Sequence, residues 1–199
     1  MEAETVPSQV ALEPAGIILA GGKSSRMGRD KASLKLKGET LLQRGQRLLS
    51  EAGCNPIVVS GQNVGGVSDI YQERGPLGGL HAGLQTLLYQ HPISTKPLRV
   101  LVTPVDMPKL TVCALKRLLD VDSDNPVYYQ HCALPCVLSL TPDLLRYIEN
   151  CLVDHDGDRS IKRLLQSFDA KPVQTDKVEQ LVNTNTPAQW HDALKEEQV

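Results

Sequence analysis

Short apolar runs alternate along this chain with longer stretches in which apolar residues recur every three or four positions. Residues 16–20 (GIILA) are brief, branched and uniformly apolar, and Gly21-Gly22 stops them, which predicts a strand buried on both faces. Thr40 then precedes LLQRGQRLLSEAG, with apolar residues at 41, 42, 48, 49 and 52. A hydroxyl before the first apolar turn and Gly53 after the last predict a capped helix, weakened by Gly45. Residues 56–60 (PIVVS) predict a second strand, 76–90 a helix opened by Gly-Pro, 98–103 a third strand and 111–120 another helix. Such a β-α-β-α-β-α order builds a parallel sheet, wound right-handed and covered by helices on both faces. Beyond 120 the pattern predicts strands at 127–130 and 134–140, helices at 142–152 and 158–167, a short strand at 171–175, an Asn-rich turn and a last helix from Pro187. The layout expected is one α/β domain over residues 15–199, behind a flexible tail at 1–14, with a small β-containing extension in its second half.

Composition narrows the function more than the fold. The chain has 199 residues, 41% apolar and 22% charged, which fits one globular domain. A net charge of −2 and an aromatic content of 4% argue against nucleic-acid coating or stacking, so neither nucleic acid nor membrane is an expected partner. That charge is uneven: residues 23–37 hold six basic side chains and one acid, a local +5 that leaves −7 elsewhere. The five cysteines (54, 113, 132, 136 and 151) form no C-x-x-C pair and no zinc set, and read as buried free thiols of a reducing cytosol. The first fifteen residues contain three Glu and no Lys or Arg, and no apolar run reaches the length of a membrane span, so a cytoplasmic protein is expected. Histidines at 81, 91, 131, 155 and 191 are scattered, and solvated or satisfied roles are expected of them.

The cationic segment follows the first strand directly, where ligands bind in open α/β sheets. It reads Leu19-Ala-Gly-Gly-Lys-Ser-Ser-Arg-Met-Gly-Arg-Asp-Lys31. Glycines let a polyanion approach backbone N–H groups, while Arg26 as a fork and Lys31 as a point charge neutralise phosphate. Neither a P-loop nor a G-x-G-x-x-G fingerprint fits the spacing. At the end of the third strand, Asp106 in VTPVDMP offers one hard carboxylate, suited to Mg²⁺ beside phosphate oxygens and equally to an Asx turn. Gly75-Pro76-Leu77-Gly78-Gly79, six residues after Asp69, is a bare helix entrance that could meet an anion or a base, or simply start a helix. Asn183-Thr-Asn185-Thr-Pro187 places two amides before a helix, one of them a candidate N-cap.

Taken in order, LAGGKSSRMGRDKASL, GPLGGL, VDMP and VNTNTP resemble the molybdenum cofactor guanylyltransferases of the MobA type over residues 16–190. The resemblance implies a three-layer, Rossmann-like nucleotidyltransferase fold with a mostly parallel central sheet. It implies a nucleotide-binding half over 15–120 and an acceptor-binding half over 121–199. The implied reaction transfers GMP from MgGTP to molybdenum-molybdopterin, with Mg²⁺ as cofactor and insertion enzymes or molybdoenzyme chaperones as candidate partners. Carried over by motif, Leu19, Ala20, Gly21, Gly22 and Lys31 hold GTP. Ser60, Asp69, Gly75, Pro76, Leu77 and Gly78 lie along the nucleotide, and Asp106 binds the metal. Arg26, Lys31 and Asp106 form the catalytic set, while Asn183, Asn185 and Arg159 face the acceptor. The chain departs from the family's pattern at Ser60 (Asn in some relatives), at Arg29, at Cys132-Ala133, and at Ala188-Gln189, where an acidic pair is replaced and only the helix start is expected to change. A cytidylyl- or sugar-phosphate nucleotidyltransferase is the alternative within enzymes, and a non-catalytic nucleotide-binding regulator the alternative outside them.

Overall fold

Strand β1 (Ala15–Leu19) is buried along its whole length and lies inside the sheet, between β4 (Ile57–Ser60) and β5 (Leu98–Pro104), parallel to both. The computed structural model describes residues 13–21, 31–91, 96–154 and 157–196. Beyond β5 the sheet continues through β7 (Cys132–Leu140), β6 (Val127–Tyr129) and β8 (Lys171–Val173), in the order β4-β1-β5-β7-β6-β8. Only β7 is reversed: it pairs antiparallel with β5 and with β6, and β6 pairs parallel with β8. The sheet is therefore mostly parallel, as expected, and the strands of the second half extend it. A separate hairpin joins β2 (Lys35–Leu36) and β3 (Glu39–Thr40).

Helices cover both faces because neighbouring residues of each strand point opposite ways. Ile17 packs with α2 (Gly75–Gln90), α4 (Pro142–Val153) and α5 (Ile161–Ser167) on one face. Ile18 packs with α1 (Leu41–Glu51) and α3 (Val112–Leu119) on the other. Both isoleucines have no exposed surface, and burying each contributes about 1.5–3 kcal/mol. Helices α1, α3, α4 and α5 start on hydroxyl caps: Thr40, Thr111, Thr141 and Ser160 each accept from a backbone N–H of the first turn. The cap at Ser160 explains why α5 begins later than the predicted 158, since Asp158 accepts from Ser160 N–H at 2.9 Å outside the helix. A last helix, α6, spans Pro187–Glu196. No helix among the described residues is long and apolar enough to cross a membrane.

The thiols depart from expectation in one respect. Cys54 and Cys136 are buried, but Cys113 stands exposed on α3. All five are free.

Candidate active site

The carboxyl ends of β4, β1 and β5 lie side by side, with Leu19 opposite Ser60 on one flank and Pro104 on the other. The loops that leave this edge carry most of the candidate residues. After β1 the chain runs Leu19-Ala20-Gly21, and Ala20 N–H donates to Ser60 O at 2.8 Å. A Cβ on Gly61 (φ 146°) would stand 2.9 Å from Gly21 N, so the contact between these loops requires glycine. Gly22 and Arg26 lie outside the described residues, as does the rest of the cationic segment to Asp30.

Lys31 opens a single 3-10 turn (Lys31–Ser33) and brings its ammonium back to the edge. Its Nζ donates to Asp106 Oδ2 at 2.8 Å and to Asn185 Oδ1 at 2.6 Å. Both charged side chains are largely shielded, at 18% and 14% exposure, which strengthens their attraction over that of a surface pair. Asp106 follows β5, and Asn185 precedes α6. Three segments far apart in the chain thus meet at one ammonium. Both asparagines are exposed, and Asn185 is the one that reaches Lys31.

Thr184 was not anticipated. It is 4% exposed, and its N–H and Oγ1 donate to the Asp106 carbonyl at 2.8 and 3.2 Å, bolting the Asn183–Thr186 strap to the loop that carries the carboxylate. The signal was available, because in an extended segment 184 faces away from 183 and 185.

The second cluster sits beneath the first turn of α2. Leu77 and Gly78 are buried there, Gly75 and Pro76 are exposed, and the Arg74 side chain at the N-cap makes no capping bond to the turn. Gly79 lies against β4, where an added Cβ would be 2.6 Å from Ser60 Oγ and 3.6 Å from Asp69 Oδ1. Ser60 is fully buried and its hydroxyl makes no well-formed hydrogen bond. Burial pushes the Asp69 carboxyl above its ordinary range, and the polar Ser60 hydroxyl beside it opposes that shift. A carboxylate, a hydroxyl and the amides of the turn therefore face one region next to the β1 loop. Arg159 belongs to neither cluster: its Nη2 donates to Asp154 O at 2.7 Å in the α4–α5 connection.

The donor chemistry fits a divalent cation. Two hard oxygens, Asp106 Oδ2 and Asn185 Oδ1, converge on the Lys31 ammonium, a positive charge standing where such a cation is also favoured. Among the described residues no group of three or more His, Cys, Asp or Glu gathers as a metal site. A single carboxylate is nevertheless enough for Mg²⁺, which takes most of its ligands from water and phosphate.

A lysine and an aspartate thus meet at the carboxyl edge of a mostly parallel sheet, beside the loop that leaves β1. Residues 16–175 match the MobA-like NTP transferase domain, and the chain belongs to that family. It is 34% identical over 185 residues to a molybdenum cofactor guanylyltransferase of Xanthomonas euvesicatoria, covering 91% of this chain and 94% of the relative. A guanylyltransferase of Yersinia pseudotuberculosis is 29% identical over 187 residues, covering 87% and 91% of the two chains. Among solved structures, molybdopterin-guanine dinucleotide biosynthesis protein A from Archaeoglobus fulgidus superposes with a TM-score of 0.70 at 17% identity, over 92% of this chain and 98% of that one. A 2-C-methyl-D-erythritol 4-phosphate cytidylyltransferase from Thermus thermophilus reaches 0.63 at 14% identity, over 94% and 100%. The fold is thus shared between enzymes named for different bases. The strap at Asn183–Thr186 lies beyond the segment matched by the family model.

Proposed function

We propose that this protein is a molybdenum cofactor guanylyltransferase, transferring GMP from MgGTP to the terminal phosphate of molybdenum-molybdopterin with release of pyrophosphate. The observation that carries the reading is the meeting of Lys31, Asp106 and Asn185 at the edge where the β1 loop ends. The relatives in Xanthomonas and Yersinia support guanine as the base and molybdopterin as the acceptor. In this reading 15–120 is the nucleotide-binding half and 121–199 the acceptor-binding half. Leu19, Ala20, Gly21 and Gly22 carry the phosphates, with Arg26 and Lys31 offsetting their charge. Ser60, Asp69 and the Gly75–Gly78 turn border the nucleoside, and Asn183, Asn185 and Arg159 serve the acceptor.

Asp106 would hold Mg²⁺, which supplies charge neutralisation at the triphosphate. The acceptor is a phosphate monoester, largely dianionic at neutral pH because its second pKa is about 6. It needs no strong general base, and no histidine stands in the Lys31 cluster. An acceptor oxygen forms a bond to the α-phosphorus as the bond to the bridging oxygen breaks and pyrophosphate departs. The chain's task is to align two anions and offset charge developing at the leaving group. The product would pass to a molybdenum-cofactor insertion enzyme or a molybdoenzyme chaperone.

Pyrophosphate release with GTP, CTP, UTP and ATP, each with Mg²⁺ and molybdenum-molybdopterin, tests the reading. Release with GTP alone is expected. Preference for CTP or UTP would move the protein to another nucleotidyltransferase class, and GTP binding without turnover would make it a regulator.

A further inference from the structure

The ammonium of Lys31 is engaged in two directions, toward the Asp106 carboxylate and toward the Asn185 amide oxygen. A triphosphate arriving with a divalent cation competes for both ends of this arrangement. The cation is drawn to the carboxylate, and the ammonium to the phosphates. The Asn185 side chain then loses the partner that holds it.

What remains is its backbone, and that is fixed from two sides. Thr184 keeps its pair of bonds to the Asp106 carbonyl, which does not depend on the carboxylate. On the other side, Gln189 reaches back from the first turn of α6: its Oε1 accepts from Asn185 N–H at 2.7 Å and from Thr186 N–H at 3.1 Å. Thr186 Oγ1 in turn accepts from Gln189 N–H at 3.3 Å, so strap and helix hold each other reciprocally. Gln189, standing where the family's pattern has one of an acidic pair, ties the helix start to the strap.

We infer that Gln189 is a positioning residue for the acceptor side. Its side-chain oxygen fixes the Asn185 backbone, so that the amide stays presented to the acceptor once nucleotide has drawn Lys31 away. This rests on the reading of Asn185 as an acceptor contact. The chemistry required is only an oxygen that accepts two N–H groups at a helix start. Glutamate meets that need and suits the helix dipole, whereas alanine leaves both N–H groups without it.

The experiment compares wild type, Gln189→Ala and Gln189→Glu by hydrogen exchange across 183–190, with and without MgGTP, and by steady-state kinetics. In Gln189→Ala the Asn185 and Thr186 amides are expected to exchange faster, with the larger increase when MgGTP is present. The KM for molybdenum-molybdopterin should rise about fivefold, the scale of one lost cap. The GTP dissociation constant should stay near wild type, the thermal midpoint should fall by no more than about 4 °C, and Gln189→Glu should restore both exchange and KM. Unchanged exchange in Gln189→Ala, equal weakening of GTP and acceptor, or failure of Gln189→Glu to restore either would overturn the inference. A wild-type protein that transfers no GMP would overturn the acceptor role of Asn185 together with the functional reading. The anchoring by Gln189 would still be decided by exchange alone.

Discussion

Replacing Gly79 with alanine sets two effects of known size against each other. Alanine in a helix interior is favoured over glycine by about 1 kcal/mol. The new Cβ, however, would stand 2.6 Å from Ser60 Oγ, and forcing atoms into a packed site costs about 1–3 kcal/mol. Ser60 is wholly buried on β4, so its hydroxyl must turn away from Gly79 or α2 must move outward. Gly79→Ala alone is therefore expected to be neutral to destabilising, by up to about 2 kcal/mol. Ser60→Ala alone removes a buried hydroxyl without a well-formed bond and is expected to cost little. In the double variant the overlap is gone. The other neighbours of the new Cβ, Asp69 Oδ1 at 3.6 Å and Leu19 Cδ2 at 3.7 Å, are ordinary contacts, so only the helix gain remains. The two substitutions should couple by about 1–3 kcal/mol in a cycle of urea-unfolding midpoints followed by far-UV circular dichroism. Additivity within about 0.5 kcal/mol would refute the close approach of α2 to Ser60.

Three further outcomes follow from the same structure. Lys31→Ala and Asp106→Ala should each lower turnover by about 10²–10³-fold while the circular dichroism spectrum is kept, and a near-wild-type rate in either removes that residue from the catalytic set. Folding favours the protonated form of Asp69, because burial raises its pKa above the ordinary 3.8. Its contribution is complete below that value and lost as pH rises through the folded-state pKa, so Asp69→Asn should gain on wild type as pH rises above about 4. A stability difference that does not grow over that range counts against the burial effect. Iodoacetamide near neutral pH should modify Cys113 first, since burial pushes the Cys54 thiol up to about 12 and raises that of Cys136 as well. Intact mass after limited labelling reports this, and early modification of Cys54 or Cys136 would contradict the packing.

Local chemistry made much of the fold readable before any coordinates. Thr40 and Gly53 bracket α1, Gly75-Pro76 opens α2, and the apolar runs at β1 and β5 needed no alternation because helices cover both faces. The hairpin at β2–β3 escaped because its strands are only two residues long. Its signal was Lys37-Gly38 between alternating residues, and both take positive φ, 51° and 85°. The reversal of β7 was equally available, since the short turn from Tyr129 to Cys132 can join only antiparallel neighbours. In the site, motif spacing pointed to Lys31, Asp106 and Asn185 separately, but their common contact depends on sheet order and on a strap 154 residues from the lysine. Ser60 beside Asp69 was unreadable for a related reason: the loop between them is irregular, and it folds back to pair Val67 with Ser60, which carries Asp69 alongside.

The strap bears on how the protein comes into being. Translation delivers β1, Lys31, β4, α2 and Asp106 well before Asn183–Thr186, so on the proposed roles the nucleotide edge can assemble before the strap that serves the acceptor. Until the strap arrives, Lys31 and Asp106 have each other but not Asn185, and the Asp106 carbonyl lacks the two bonds from Thr184. On the proposed roles, competence for transfer thus waits on the strap. A ribosome-bound intermediate able to hold nucleotide would still be unable to spend it.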